Sequence, residues 1–526
     1  MRNKEHVKPI EEDRQSLDAP SSLSSRNARQ AILWAVCIAL MAVIAAVTGL
    51  NVAQPQLAVD LHATQASVLW MINTYAISLA GFLLPLGAVG DRWGRKRVLI
   101  IGLCVFAFAT AASGLASSTT MMLAARFLSG IGAAMIMPVT LSVITAVFPP
   151  HERSKAVGIW TAVAGGGGIV GMFLSALLVD FLSWRWLFLL PFVLAFVALV
   201  TAVKSIPETR DSKEHSFDYV GALLSFVAIV STSFGLHEAP AEGWINAVPL
   251  VALLAGVSAS IAFFLWEFKH EAPLLPVRYL ANRDLAAGMV SLLIWFGVQA
   301  GVFIVLYPYF QAVLGWSGLR STAGLMPMAI LMMAFSAGAP RLGANLGPKY
   351  TVAVGIAFGI IGLMLMATQV TAAGGYLSVL PGMVAMGIGM GLAMPPSTEA
   401  ITTALPEGKQ GVASAINDLA RELGTSLRVA LLGAFFAAGY TRSIQKFVVG
   451  ADHAIADPAV RGIGTAFAAY TSSDVYGTVY EYAQASFVEA WRSSMWVGVA
   501  LMACLLGFVL LRGPRRTQAD TVQNDC

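Results

Sequence analysis

The sequence predicts an all-α polytopic membrane protein, and three observations carry that prediction. Hydrophobic residues make up 57% of the 526-residue chain and charged residues 12%, with a mean hydropathy of +0.72, a balance that fits a membrane-embedded chain and not a soluble globule. About fourteen apolar segments reach the roughly 20 residues that an α-helix needs to cross the hydrocarbon core. The short loops between them alternate between basic and nearly uncharged, the asymmetry that fixes orientation in a bilayer.

In chain order, residues 1–30 are polar, charged and rich in Ser, and read as a disordered cytoplasmic arm rather than a cleavable signal. Expected spans are 31–53, 66–89, 97–116, 119–148, 156–179 and 186–203, which make a first bundle over 31–203. Spans 219–237 and 247–266 lie in an inserted segment, 204–285. A second bundle, 286–511, holds spans 286–310, 320–341, 350–369, 376–401, 411–440 and 488–511, and a cytoplasmic tail, 512–526, follows. Within the second bundle, loop 441–487 is moderately polar and too small for an enzyme domain, so a partly helical extracytoplasmic cap is expected.

The basic loops all fall on the side of the arm. They carry Arg92, Arg95, Lys96, Arg97, Arg153, Lys155, Lys204, Lys269, Arg278, Lys349 and Lys409, and the tail carries Arg512, Arg515 and Arg516. Both termini are therefore expected in the cytoplasm. The net charge of +4 reflects these loops and gives no reason to expect nucleic acid as a partner. An internal repeat supports the division into two pseudo-symmetric six-helix bundles: Gly90, Gly94, Lys96 and Gly102 follow the second span, and Gly343, Gly347, Lys349 and Gly355 follow the tenth at identical offsets.

The most informative stretch runs from Gly87 to Ile100, Gly-Ala-Val-Gly-Asp-Arg-Trp-Gly-Arg-Lys-Arg-Val-Leu-Ile. Glycines permit close backbone approach, the cations hold the loop on the cytoplasmic side, and Asp91 can pair with an arginine or face the positive N-terminus of a neighbouring helix. Gly-x-x-x-Asp-Arg-x-Gly-Arg-Lys resembles the signature loop between helices 2 and 3 of the major facilitator superfamily. The inserted pair resembles the fourteen-helix drug:proton antiporter branch, whose flanks match Phe217-Asp218-Tyr219-Val220-Gly221, Glu267 and Ala272-Pro273-Leu274-Leu275-Pro276-Val277-Arg278. Glu422-Leu423-Gly424 looks most like the multidrug exporters of that branch.

The resemblance implies a multi-pass efflux transporter of the bacterial cytoplasmic (inner) membrane, a monomer, exporting small amphipathic organic compounds against proton entry. It implies a cytoplasmic gate at Gly87, Asp91, Arg92, Gly94, Arg95 and Lys96. It also implies a proton-coupling group of Glu422, Arg126, Arg421 and Asp418, and an exporter motif with flexing glycines Gly167, Gly168 and Gly171. The chain departs from the family in three places: Ala46 stands where the family's first-helix Asp falls, Arg428 stands where glycine is common, and Gly171 is followed by Met172 instead of Pro.

Charged groups at membrane depth cost several kcal/mol unless paired or hydrated, so each is a functional candidate. Each also has a structural reading: Arg126 satisfied by carbonyls, Asp418 in an interfacial salt bridge to Arg421, Glu399 as a snorkelling residue or a substitute proton carrier. Aromatic and amide side chains nominate a substrate cavity of Asn51, Trp70, Asn73, Tyr75, Trp295, Phe296 and Gln299, with Arg428 beside it. There is no Gly-x-x-x-x-Gly-Lys-Ser/Thr phosphate loop and no metal-ligand spacing, so no enzyme, cofactor or metal is expected. Two alternatives remain: a carrier for an anionic or neutral metabolite or lipid, and a non-transporting membrane sensor of the same fold.

Overall fold

The computed structural model describes residues 26–209, 217–275, 277–406, 408–428, 432–448, 463 and 477–514. Its described residues are almost wholly helical. The first six helices are α1 (Arg26–Asp60), α2 (Gln65–Trp93), α3 (Arg95–Gly114), α4 (Thr119–Val147), α5 (Pro150–Phe181) and α6 (Leu189–Ser205). Then come α7 (Tyr219–Glu242), α8 (Ala247–Lys269), α9 (Arg283–Pro308), α10 (Gly318–Leu346), α11 (Pro348–Gln369) and α12 (Leu380–Ala404). The last three are α13 (Gln410–Arg428), α14 (Ala434–Val448) and α15 (Gly477–Arg512).

Polar side chains and prolines punctuate these helices. Thr64, Ser118, Asp218 and Ser317 each accept a hydrogen bond from a first-turn N–H of the helix they precede. Gly94 and Gly347 close α2 and α10 at positive φ, +110° and +89°, where a side chain would be strained.

Helices α1–α6 pack among themselves and α9–α15 do likewise. The α7–α8 hairpin leans on α2. Its base is closed by two buried carboxylates: Asp218 caps Gly221 N and accepts from Trp266 Nε1 at 3.0 Å, while Glu267 accepts from Leu275 N at 3.0 Å. The flanking residues that carried the family resemblance are thus the ones that pin this hairpin. Between the two groups run α5 against α10 and α13 against α2 and α4.

Twelve helices among the described residues are long and apolar enough to cross a membrane. Neither α12 nor α13 is among them. Helix α12 carries Pro395, Pro396, Ser397, Thr398 and Glu399, and α13 is polar along much of its length. Both are enclosed by neighbouring helices rather than turned to lipid, so nothing requires their outer faces to be apolar.

Of the expected span 411–440, α13 covers the part up to Arg428 and α14 the part from Ala434, and residues 429–431 between them lie outside the described residues. Helix α14 lies on α15. One set of bounds is corrected, that of the loop expected over 441–487. The expected loop 441–487 is helical at both ends, since α14 runs to Val448 and α15 begins at Gly477, and Phe447 stacks on Tyr482 with centroids 4.6 Å apart. Apart from Ile463, the middle of that loop lies outside the described residues, as do residues 1–25 of the arm and 515–526 of the tail.

Candidate functional site

Two connected sites emerge, both centred on α13. The first lies at its N-terminus, at the basic end of the bundle. Asp91 closes the last turn of α2 and is buried together with Arg95. Arg95 Nη2 donates to Asp91 Oδ1 at 2.8 Å and to Gln410 Oε1 at 2.8 Å. The carboxylate also accepts from Gly411 N at 2.8 Å and from Val412 N at 3.1 Å. A carboxylate of the amino-terminal group of helices thereby caps a helix of the carboxy-terminal group, where the helix dipole favours negative charge.

That reach requires two glycines. A Cβ at Gly87 would lie 2.8 Å from Gly411 O, and one at Gly411 would collide with Gly87 O. Arg92 is exposed, while Gly94 and Lys96 turn to Glu208: Lys96 N donates to Glu208 Oε1 at 3.3 Å and Lys96 Nζ to Val203 O at 2.9 Å. The predicted gate residues therefore divide, with Gly87, Asp91 and Arg95 between the groups and Gly94 and Lys96 inside the first.

A second contact between the groups lies on α5 and α10. Ser336 Oγ donates to Gly158 O at 3.0 Å, and Ser154 bonds Glu399 of α12. The glycine run of α5 serves two neighbours: Gly165 and Gly166 face Met332 and Met333 of α10, whereas Gly167, Gly168 and Gly171 face Met41, Thr48 and Ala45 of α1. Helix α5 is uninterrupted from Pro150 to Phe181 through this run.

The second site lies two to three turns further along α13. Arg421 is buried with its guanidinium 5.0 Å from the Trp160 ring of α5 and 5.1 Å from the Phe296 ring of α9, so one aromatic from each group of helices flanks one cation. Its Nε and Nη2 have no hydrogen-bond partner among the described residues. Asp418 is fully buried and accepts from Asn417 Nδ2 at 3.0 Å. It acts on Arg421 electrostatically, but no ion pair found among the described residues joins the two. Glu422 is half-buried and acts electrostatically on both Arg421 and Tyr75.

Arg126 stands across from this cluster on α4, fully buried. Its Nε donates to Met71 O at 3.2 Å and its guanidinium lies 4.3 Å from the centroid of Tyr75, whose hydroxyl donates to Val43 O at 3.3 Å. Tyr75 thus lies against Arg126 and feels the charge of Glu422. Arg126 is satisfied in part by a carbonyl, and its Nη2 has no partner among the described residues.

The other nominated cavity residues scatter. Trp70 lies 5.3 Å from Phe234 of the inserted α7, and Trp295 packs against Gly359 and Gly389 in the interior of the second group. Asn73 is half-buried and Gln299 is buried on α9 beside Phe296. Asn51 and Arg428 are helical, but their side chains lie outside the described residues. Ala46, at the missing first-helix carboxylate, is buried. Sequence reading missed Gln410, Asn417, Trp160 and Glu208. Of these, Trp160 and Glu208 had a signal, an aromatic mid-span and an acid three residues past a helix end, but nothing that named their partners.

Comparison with known proteins agrees with this architecture. The chain is 32% identical over 410 residues to the tetracenomycin C resistance and export protein of Streptomyces glaucescens, covering 77% of this chain and 75% of that one. It is 29% identical over 501 residues to the puromycin resistance protein pur8 of Streptomyces alboniger, covering 92% of each. Among solved structures, the proton:xylose symporter XylE superposes with a TM-score of 0.56 at 15% identity, covering 93% of this chain and 96% of that one, a likeness of fold. Residues 36–428 match the Major Facilitator Superfamily, and the chain belongs to that family of membrane transporters.

Proposed function

We propose that this protein is a secondary active exporter of amphipathic organic compounds, driven by proton entry across the bacterial cytoplasmic membrane. The observation that carries the reading is the placement of α13: its N-terminus is held by Asp91 and its middle presents Arg421 between Trp160 and Phe296, so one helix joins both groups at two levels. Relatives named for resistance to, or export of, tetracenomycin C and puromycin support organic cargo. The basic loops support cytoplasmic termini, and fourteen crossings follow if α12 and the α13–α14 pair also span. No intersubunit feature is required, and a monomer suffices.

In this mechanism Asp91, Arg95 and the first turn of α13 form the cytoplasmic gate. Breaking those bonds separates α2 from α13 at the basic end and opens the centre to that side. Glu422 is the proton carrier: protonation removes a negative charge from beside Arg421 and Tyr75, which alters the relative stability of the two open states. Arg126 and Tyr75 transmit that change to α2 and α4. The test is Glu422→Gln in inverted vesicles. Transport driven by an imposed pH gradient is expected to fall by at least about tenfold, equivalent to about 1.4 kcal/mol, while exchange of substrate without a gradient persists. Gradient-driven transport equal to that of the unaltered protein would remove Glu422 from the mechanism.

Two observations favour a second reading, a carrier for anionic cargo. Arg421 keeps two N–H groups without an acceptor, and the first-helix carboxylate is replaced by Ala46. Competition between cationic dyes and aromatic carboxylates for the same transport activity separates the two.

A further inference from the structure

The two repeats of the glycine loop differ in what sits over the helix that follows. After Gly94, the carboxylate of Glu208, three residues beyond the end of α6, approaches the first turn of α3 and accepts from Lys96 N at 3.3 Å. Its other oxygen lies 3.6 Å from Arg97 Nε. This loop is therefore an anion cradle filled from within the chain, made of free N–H groups, a positive-φ glycine and neighbouring cations.

Gly347 and Lys349 repeat Gly94 and Lys96 at the same offsets, and Gly347 likewise has a positive φ. Here, however, no side-chain oxygen caps the first turn of α11 among the described residues. In place of a carboxylate there is a cleft of about 490 Å³ walled by Arg283, Leu346, Lys349, Tyr350 and Pro514. Arg283 Nη2 donates to Leu511 O at 2.7 Å, which ties the last turn of α15 to the cleft, and its buried Nε has no partner among the described residues. Lys349 Nζ is 5.5 Å from the Tyr350 ring and makes no ion pair among the described residues. Where the first repeat brings Glu208, the second brings Pro514 to the cleft wall.

We propose that this cleft binds a phosphate-bearing anion, the headgroup of an anionic membrane lipid or free phosphate, in the place that Glu208 occupies in the other repeat. Phosphate supplies several acceptor oxygens, enough for Arg283 Nε, the Lys349 ammonium and the open first turn of α11 at once. Leu346 and Tyr350 are exposed beside the cleft, a rim that suits acyl chains next to a bound headgroup.

The test uses the full-length protein in micelles of phosphatidylcholine, with phosphatidylglycerol or inorganic phosphate as probe and native mass spectrometry and thermal unfolding as readouts. Two variants are compared with the parent: R283Q/K349Q, which removes both cations, and Pro514→Glu, which keeps them and adds a carboxylate to the cleft wall as Glu208 does in the first repeat. Retention of phosphatidylglycerol, or stabilisation by phosphate, is expected to fall at least about tenfold in both. If only phosphatidylglycerol shows the difference the source is lipid, and if phosphate alone shows it the source is soluble. Should the double variant fail to fold, Pro514→Glu still decides, because it removes no helix contact. Equal retention of both probes by the parent and Pro514→Glu overturns the proposal.

Discussion

Asp91 is surrounded by donors: Arg95 and the N–H groups of Gly411 and Val412. A buried carboxylate persists only where such donors replace water, and withdrawing its charge leaves Arg95 buried without its counter-ion, a cost of about 3–5 kcal/mol. Asp91→Asn retains an acceptor for α13 but loses that charge pair. It is expected to lower substrate efflux at least tenfold and to raise the labelling, from the basic side, of a cysteine placed at Ala415. Unchanged efflux and labelling would mean that the ion pair does not hold the gate. Arg421 presents a different problem. Flanking rings stabilise a planar cation by about 0.5–2 kcal/mol, a fraction of what desolvating it costs, so the residue is poised to be rearranged by whatever enters beside it.

At the scale of elements, α2 and α13 touch through Gly87 and Gly411, and any side chain at 411 meets the carbonyl of Gly87. Gly411→Leu is expected to destabilise the protein by about 1–3 kcal/mol, as overpacking does, and to abolish transport at temperatures where the fold survives. Thermal unfolding and dye efflux measured on the same preparation check both halves of that expectation. How much of this was legible in the sequence differs by element. The loop of the proposed gate was visible because a charged, glycine-rich string between apolar spans has few other uses. Its partner was not, because Gly411 and Val412 act through main-chain N–H groups that any residue except proline carries. Glu208 looked like an ordinary loop acid until the turn at Gly94 brought it over α3.

For the whole molecule, contacts between the two groups at the gate, and those of Ser154 with Glu399 and Ser336 with Gly158, lie toward the basic end. A disulfide from Gly158→Cys and Ser336→Cys, in a background with Cys37, Cys104, Cys504 and Cys526 replaced, is expected to stop efflux on oxidation and to restore it on reduction. Full activity of the oxidised protein would show that α5 and α10 need not part. The bond from Asp91 to the start of α13 has one more consequence, for how this gate tolerates sequence change. Because the docking partner is peptide backbone, drift along that first turn leaves the attachment intact as long as the turn stays narrow and helical. Such a joint leaves the residues deeper along the same helix free to change without loosening the attachment at its start.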